Sequence, residues 1–213
     1  MSKTPKELFQ EKRGITVVKN LESRHFEAYY CTTREEALQK VLELIPEESS
    51  VSWGGSMTIR DMGLTDALNR GNYRTIDRDK AANEEEKKKA YRDAMSAEYY
   101  LTSANGISED GQLVNVDGTG NRVAAVVYGP EYVIVVAGMN KVAKTADDAL
   151  VRARTIAAPT NQQRFQRKTP CTVTGVCGDC ISPDCICNQV LITRNCSPAG
   201  RIKVVLVGEE LGY

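Results

Sequence analysis

Six of the chain's seven cysteines fall between Cys171 and Cys196. They run Cys171, five residues, Cys177, two residues, Cys180, four residues, Cys185, one residue, Cys187, eight residues, Cys196, and only Cys31 lies outside. A C-x-x-C pair can place two thiolates on one ion from a single turn, and further cysteines on the same irregular segment can close a tetrahedral site. The sole histidine, His25, is remote in sequence, so an all-thiolate centre for zinc or an iron–sulfur cluster is the expected form. Competing readings are reduced or partly disulfide-bonded structural thiols and a thiol redox group. Cys31 reads as a core thiol near the end of a strand.

Glycine-rich turns form the second chemical feature. Trp53-Gly54-Gly55-Ser56 stands where a strand-like run meets a helical one, so backbone amides can approach a ligand there, with Ser56 and Thr58 as added hydroxyl donors. Asp117-Gly118-Thr119-Gly120-Asn121-Arg122 repeats the arrangement with two glycines and an arginine suited to carboxylate or phosphate. Each alone could be a tight turn. Two in one α/β sheet point to a ligand site, because ligands gather at the C-terminal ends of parallel strands. Between them, Glu109-Asp110-Gly111 occupies a β-turn, where Glu109 could serve as base or nucleophile if the glycine turns close around it. Asp61 follows the first turn closely enough to face the same cleft.

These residues need a scaffold, and 213 residues suffice for one sizeable core. Lys+Arg and Asp+Glu balance at 28 each, so no net field recruits nucleic acid or an anionic membrane. The charged N-terminus lacks a signal-peptide pattern, and the best apolar run, Val123 to Val136, is interrupted by Gly129-Pro130-Glu131. The expected location is the cytoplasm, where thiols stay reduced.

Thr4-Pro5 opens a helical N-terminal arm over residues 1–24, with Leu8, Val17, Val18 and Leu21 as its apolar stripe. Strand-like runs then alternate with helical ones. Strands are expected at His25–Tyr30, Ser50–Trp53, Tyr73–Ile76, Tyr99–Ser103, Gln112–Val116 and Tyr132–Val136. Helices are expected from Arg34 to Pro46, after Ser56, at Ala81–Met95 and at Arg122–Tyr128. Thr145–Ala157 is the clearest helix, capped by Thr145, turned inward at Ala149, Leu150 and Ala153, and ended by Pro159. Periodicity vanishes from Thr160 to Cys187, and strands return at Gln189–Thr193 and Arg201–Gly208. The expected fold is a single α/β domain over 1–213: a doubly wound, mainly parallel Rossmann-like sheet with helices on both faces and an irregular Cys-rich insertion at 160–200.

VSWGGSMTIRDMGL, ANGISEDGQLVNVDGTGNRVAAVVYGP and TPCTVTGVCGDCISPDCICN…RIKVVLVGEELGY resemble the LUD-domain proteins, the family of lactate utilization protein C, in a Cys-bearing, stand-alone bacterial branch. The resemblance implies a fold like the ribose-5-phosphate isomerase, glucosamine-6-phosphate deaminase and CoA-transferase group. It also implies a link to oxidation of lactate or a related 2-hydroxy acid beside iron–sulfur partner proteins. Carried over by residue, the matching positions are Gly54, Gly55 and Ser56, then Gly106, Glu109 and Gly111, then Gly118, Gly120, Asn121 and Arg122. For the cysteines it implies C-x5-C-x-x-C-x6-C, selecting Cys171, Cys177, Cys180 and Cys187, with Cys185 where a basic residue is expected; Cys185 and Cys196 stand as alternates. The expected ligand is a small carboxylate or phosphorylated anion held by the turns and Arg122, with Glu109 handling a proton. The alternatives are a non-catalytic subunit of an iron–sulfur lactate-oxidizing complex and a thiol redox sensor. A homodimer is left open.

Overall fold

A computed structural model describes residues 3–165 and 167–213; residues 1–2 of the expected N-terminal arm and residue 166 of the Cys-rich segment lie outside the described residues. The strands are β1 (Glu27–Cys31), β2 (Ser50–Trp53), β3 (Arg74–Ile76), β4 (Tyr99–Thr102), β5 (Gly106–Ser108), β6 (Leu113–Asp117), β7 (Tyr132–Gly138), β8 (Val142–Ala143), β9 (Gln189–Thr193) and β10 (Ile202–Val207). The helices are α1 (Pro5–Ser23), α2 (Arg34–Glu43), α3 (Met57–Asp61), α4 (Leu64–Arg70), α5 (Glu84–Asp93), α6 (Asn121–Val127), α7 (Ala146–Arg152), α8 (Ala158–Gln162) and α9 (Pro170–Thr174).

Six strands form a wholly parallel sheet in the order β1-β10-β7-β4-β2-β3. Its centre is apolar on both sides: Val133, Ile134, Val135 and Val136 of β7 are buried beside Val204, Val205 and Leu206 of β10. A parallel strand covered on both faces reads as such a continuous apolar run. One face packs against Ala37 and Val41 of α2, Ile59 of α3, and Leu64 and Leu68 of α4. The other packs against Val17 and Leu21 of α1 and Ala125 and Val126 of α6. Helices on both faces make the sheet doubly wound, as the alternating sequence pattern requires.

The topology places a crevice. From β2 the chain crosses to β3 on one side and then returns to β4 on the other, so the strand order reverses between β2 and β4. At such a switch point the connections leave in opposite directions and open a cleft above the strand ends. The Gly54-Gly55-Ser56 turn leaves β2 there.

Five details depart from the sequence reading. β5, β6, β8 and β9 form a second sheet, order β8-β5-β6-β9, so Gln189–Thr193 pairs antiparallel with β6 and stands apart from the central sheet. The helix after Ser56 is broken by Gly63 at φ 73°, which separates α3 from α4. Pro159 does not end the Thr145 helix. Its chain widens into a π-helical turn over Ala153–Ala157, and Pro159 is absorbed in the first turn of α8, where a missing N–H costs little. Within Thr160–Cys187, expected to be irregular, α8 continues to Gln162 and α9 adds a short turn. Leu8 of α1 is exposed, while Val17 and Leu21 carry that helix's burial.

Among the described residues, no helix is long and apolar enough to cross a membrane.

Candidate functional site

A cleft of about 670 Å³ lies over the switch point and is lined by both glycine turns. Gly55, Ser56 and Thr58 contribute from the β2–α3 turn, Ser103 and Asn105 from the end of β4, and Gly118, Asn121 and Arg122 from the β6–α6 turn. Gly54 is buried beneath, where a Cβ would meet the Tyr100 hydroxyl at 3.2 Å and Arg122 Cδ at 3.7 Å. Gly120 holds φ 87°, a left-handed conformation that starts α6 without a side-chain cap of its own. Asp117 supplies the missing cap: its Oδ2 accepts from the backbone N–H of Arg122 (3.0 Å) and Val123 (3.2 Å). The same carboxylate faces the Arg122 guanidinium at 3.7 Å.

Arg122 is largely committed to the protein. Its Nη2 donates to Val116 O (2.5 Å) and Asn105 Oδ1 (2.9 Å). It therefore gives the cleft positive charge and rigidity, and its fork is not free for bidentate contact. Further cations come from segments the sequence reading did not connect: Arg60 from α3, Arg78 from the turn after β3, and Lys87 from α5. Arg164 and Arg167 both lie over the Phe165 ring at the rim, 5.6 and 5.3 Å from its centroid. With Arg122 and Lys141, seven cationic side chains line the cleft against the carboxylates of Asp79 and Asp117, in a chain with no net charge. Such an excess in a concave site concentrates field on anions.

Lys141 occupies the cleft at the end of β7. It is only 3% exposed, and its Nζ donates to Thr58 Oγ1 (2.9 Å) and Ser103 Oγ (3.0 Å). Burial, reinforced by the charges of Arg152 and Arg122 and opposed by Asp61, pushes its ammonium down to about 7. Composition gave no reason to select this residue. Its one signal was position: a lysine just past the most apolar strand, although unpaired lysines are rarely buried.

The structure does not bring Glu109 to this cleft. Glu109 sits at the β5–β6 hairpin, where its carboxylate accepts from Arg13 Nε (3.0 Å) and Lys144 Nζ (2.7 Å) and lines a separate pocket with α1. The Lys144 and Arg13 hydrogen bonds outweigh burial and hold its pKa below the usual carboxylate range. The glycine turns do not close around it. Asp61 is exposed at the end of α3 and is not among the cleft-lining residues.

Cys171, Cys177, Cys180, Cys185 and Cys187 line one cavity of about 320 Å³. Cys185 and Cys187 sulfurs are 3.1 Å apart, and the Cys187 N–H also reaches Cys185 Sγ at 3.4 Å. Among the described residues, no three His, Cys, Asp or Glu side chains stand posed around a point as metal ligands. What converges is a set of thiols. Cys196 is not part of it: the residue is 2% exposed in the main core, its sulfur accepting from Ile202 N and donating to Pro198 O. Cys31 is buried in the opposite core, and burial pushes its thiol up.

The two cavities share a wall. Ala158, Cys185, Ile186 and Asn188 line both. The Cys segment is fastened to the second glycine turn by Asn188, whose N–H reaches Asp117 O (2.9 Å) and whose Nδ2 reaches Gly118 O (3.1 Å). A Cβ at Gly118 would lie 3.4 Å from Ile186 Cα, so the Cys segment packs directly over this turn.

No curated protein matches the chain. The fold is similar to that in a crystal structure of a DUF162 family protein from Deinococcus radiodurans, with 12% identity, a TM-score of 0.55, and coverage of 93% of this chain and 98% of that one. Residues 16–207, which contain the switch-point cleft, both glycine turns and the Cys segment, match the LUD domain, and the chain belongs to the LUD domain family.

Proposed function

We propose that this LUD-domain chain binds a small carboxylate or phosphorylated anion in the switch-point cleft and acts in the oxidation of lactate or a related 2-hydroxy acid. The observation that carries the reading is the gathering of seven cations around two glycine turns in a chain with no net charge. Ser56 and the turn amides supply hydrogen bonds, and Arg78, Arg122 and Lys141 supply charge that is shielded from solvent. The link to 2-hydroxy acids rests on family membership.

We further propose a thiolate centre on the Cys segment, held by Cys171, Cys177 and Cys180 with Cys187 or Cys185. The donor chemistry fits, because five thiols line one cavity. Zinc there would brace the segment, and an iron–sulfur cluster would carry an electron. A redox-thiol reading is favoured by the 3.1 Å approach of Cys185 and Cys187. Metal and sulfide analysis of anaerobically purified protein separates the three: iron with sulfide, one zinc, or no metal with reactive thiols.

For the cleft, thermal shift with L-lactate, pyruvate and inorganic phosphate tests the reading. A rise in melting temperature with at least one of them, reduced in an Arg164→Ala/Arg167→Ala double variant, supports it. No rise with any of the three refutes it.

A further inference from the structure

Lys141 differs from the other cleft cations in burial and in partners. Its amine meets two hydroxyls, those of Thr58 and Ser103, and among the described residues it forms no ion pair. Thr58 is itself fixed, donating to Leu211 O at 3.3 Å. Arg122 and Arg152 oppose a further positive charge beside them, Asp61 favours one, and burial outweighs all three. A lysine on the surface is almost wholly ammonium at neutral pH, and an ammonium has no lone pair to donate. Here a substantial neutral fraction faces a cleft built for anions. An amine in that state is the usual form of a lysine nucleophile toward a carbonyl carbon.

We propose that Lys141 forms an imine with small 2-oxo acids, the carboxylate lying among the cleft cations while Nζ attacks the 2-oxo carbon. This rests on the anion-binding reading and names its substrate class, the class that oxidation of a 2-hydroxy acid yields. The Nζ lone pair forms the C–N bond and the carbonyl π pair moves to oxygen. A proton passes from nitrogen to that oxygen through the Thr58 or Ser103 hydroxyl, giving the carbinolamine. Loss of water then leaves the C=N bond. Amine plus ketone becomes imine plus water, with no change of oxidation state and no other reactant.

The experiment treats the full chain with pyruvate and cyanoborohydride at pH 7 and maps the product by peptide mass. The expected product is one dominant adduct on Lys141, with the mass of pyruvate less one oxygen. Lys144, nearby in sequence and with a side chain 79% exposed, is the internal control. Lys141 should be labelled about tenfold faster than Lys144 or more, because an amine held near neutrality attacks a carbonyl faster than a surface ammonium. The Lys141 rate should level off above pH 7. A Lys141→Arg variant should lose the adduct, and the wild-type comparison with Lys144 stands if that variant fails to fold. Labelling of Lys144 at the same rate as Lys141, or none at Lys141, overturns the proposal. Absence of the adduct in protein that still binds phosphate overturns the imine site alone; absence of both overturns the anion reading with it.

Discussion

Replacing Lys141 by Met should stabilise the protein at neutral pH, and the gain should fade as pH rises. The amine is held at about 7 in the folded chain against an ordinary value of 10.5. Between those values the unfolded chain binds a proton that the folded chain does not, so wild-type stability rises with pH by up to about 1.4 kcal/mol per unit. Below pH 7 both states are protonated and the penalty is constant; above about 10.5 both are neutral and it is gone. Methionine is similar in length and carries no charge, so its variant lacks this slope. The substitution also removes hydrogen bonds to Thr58 and Ser103, at about 1 kcal/mol each. Both hydroxyls keep another acceptor, Leu211 O and Ala104 O respectively. The net gain at pH 7 is therefore on the order of 2 kcal/mol, shrinking by about 2–3 kcal/mol between pH 7 and 9. Urea denaturation of both proteins at pH 7, 8 and 9 measures it. Parallel stability curves would refute the claim that Lys141 is buried in a form that resists protonation.

Leu101→Ala, at a fully buried position of β4 beside Ile134, should cost about 2–5 kcal/mol in urea denaturation. Thr145→Ala removes a hydroxyl that accepts from Asp148 N at 3.1 Å, and should cost about 1 kcal/mol in the same assay. Cys180→Ser should abolish any bound metal, whereas Cys196→Ser should leave metal content unchanged and lower stability, read by elemental analysis and thermal melting.

The central sheet was legible because its strands are covered on both faces and so appear as apolar runs. Ser50–Trp53 and Tyr132–Val136 lie within the observed β2 and β7. β8 was not legible, since two residues carry no periodicity, and β9 could not be assigned to a sheet because its partner, β6, lies far back in the sequence. Pro159 misled for a physical reason: proline ends an α-helix only where its missing N–H and its ring conflict with the preceding turn, and the π-helical turn over Ala153–Ala157 alters that turn. The glycine turns could be found locally, because they combine strand end, glycine and helix start within a few residues. The cleft's charge could not. Arg60, Arg78, Lys141 and Arg164 lie on separate segments, and only the strand reversal between β2 and β4 brings them to one place. Glu109 illustrates the converse. Its place in the sequence between the two glycine turns allowed one site if they closed around it, but the β5–β6 hairpin carries it to α1, where Arg13 and Lys144 pair with it.

Calorimetric titration of pyruvate into wild-type protein and the Arg164→Ala/Arg167→Ala variant tests the anion cleft most directly. Saturable binding at one site per chain is expected, weakened by added salt and by loss of the two rim arginines, with the fold unchanged by circular dichroism. Equal binding by both proteins, or no binding by wild type to pyruvate or to inorganic phosphate, would contradict it.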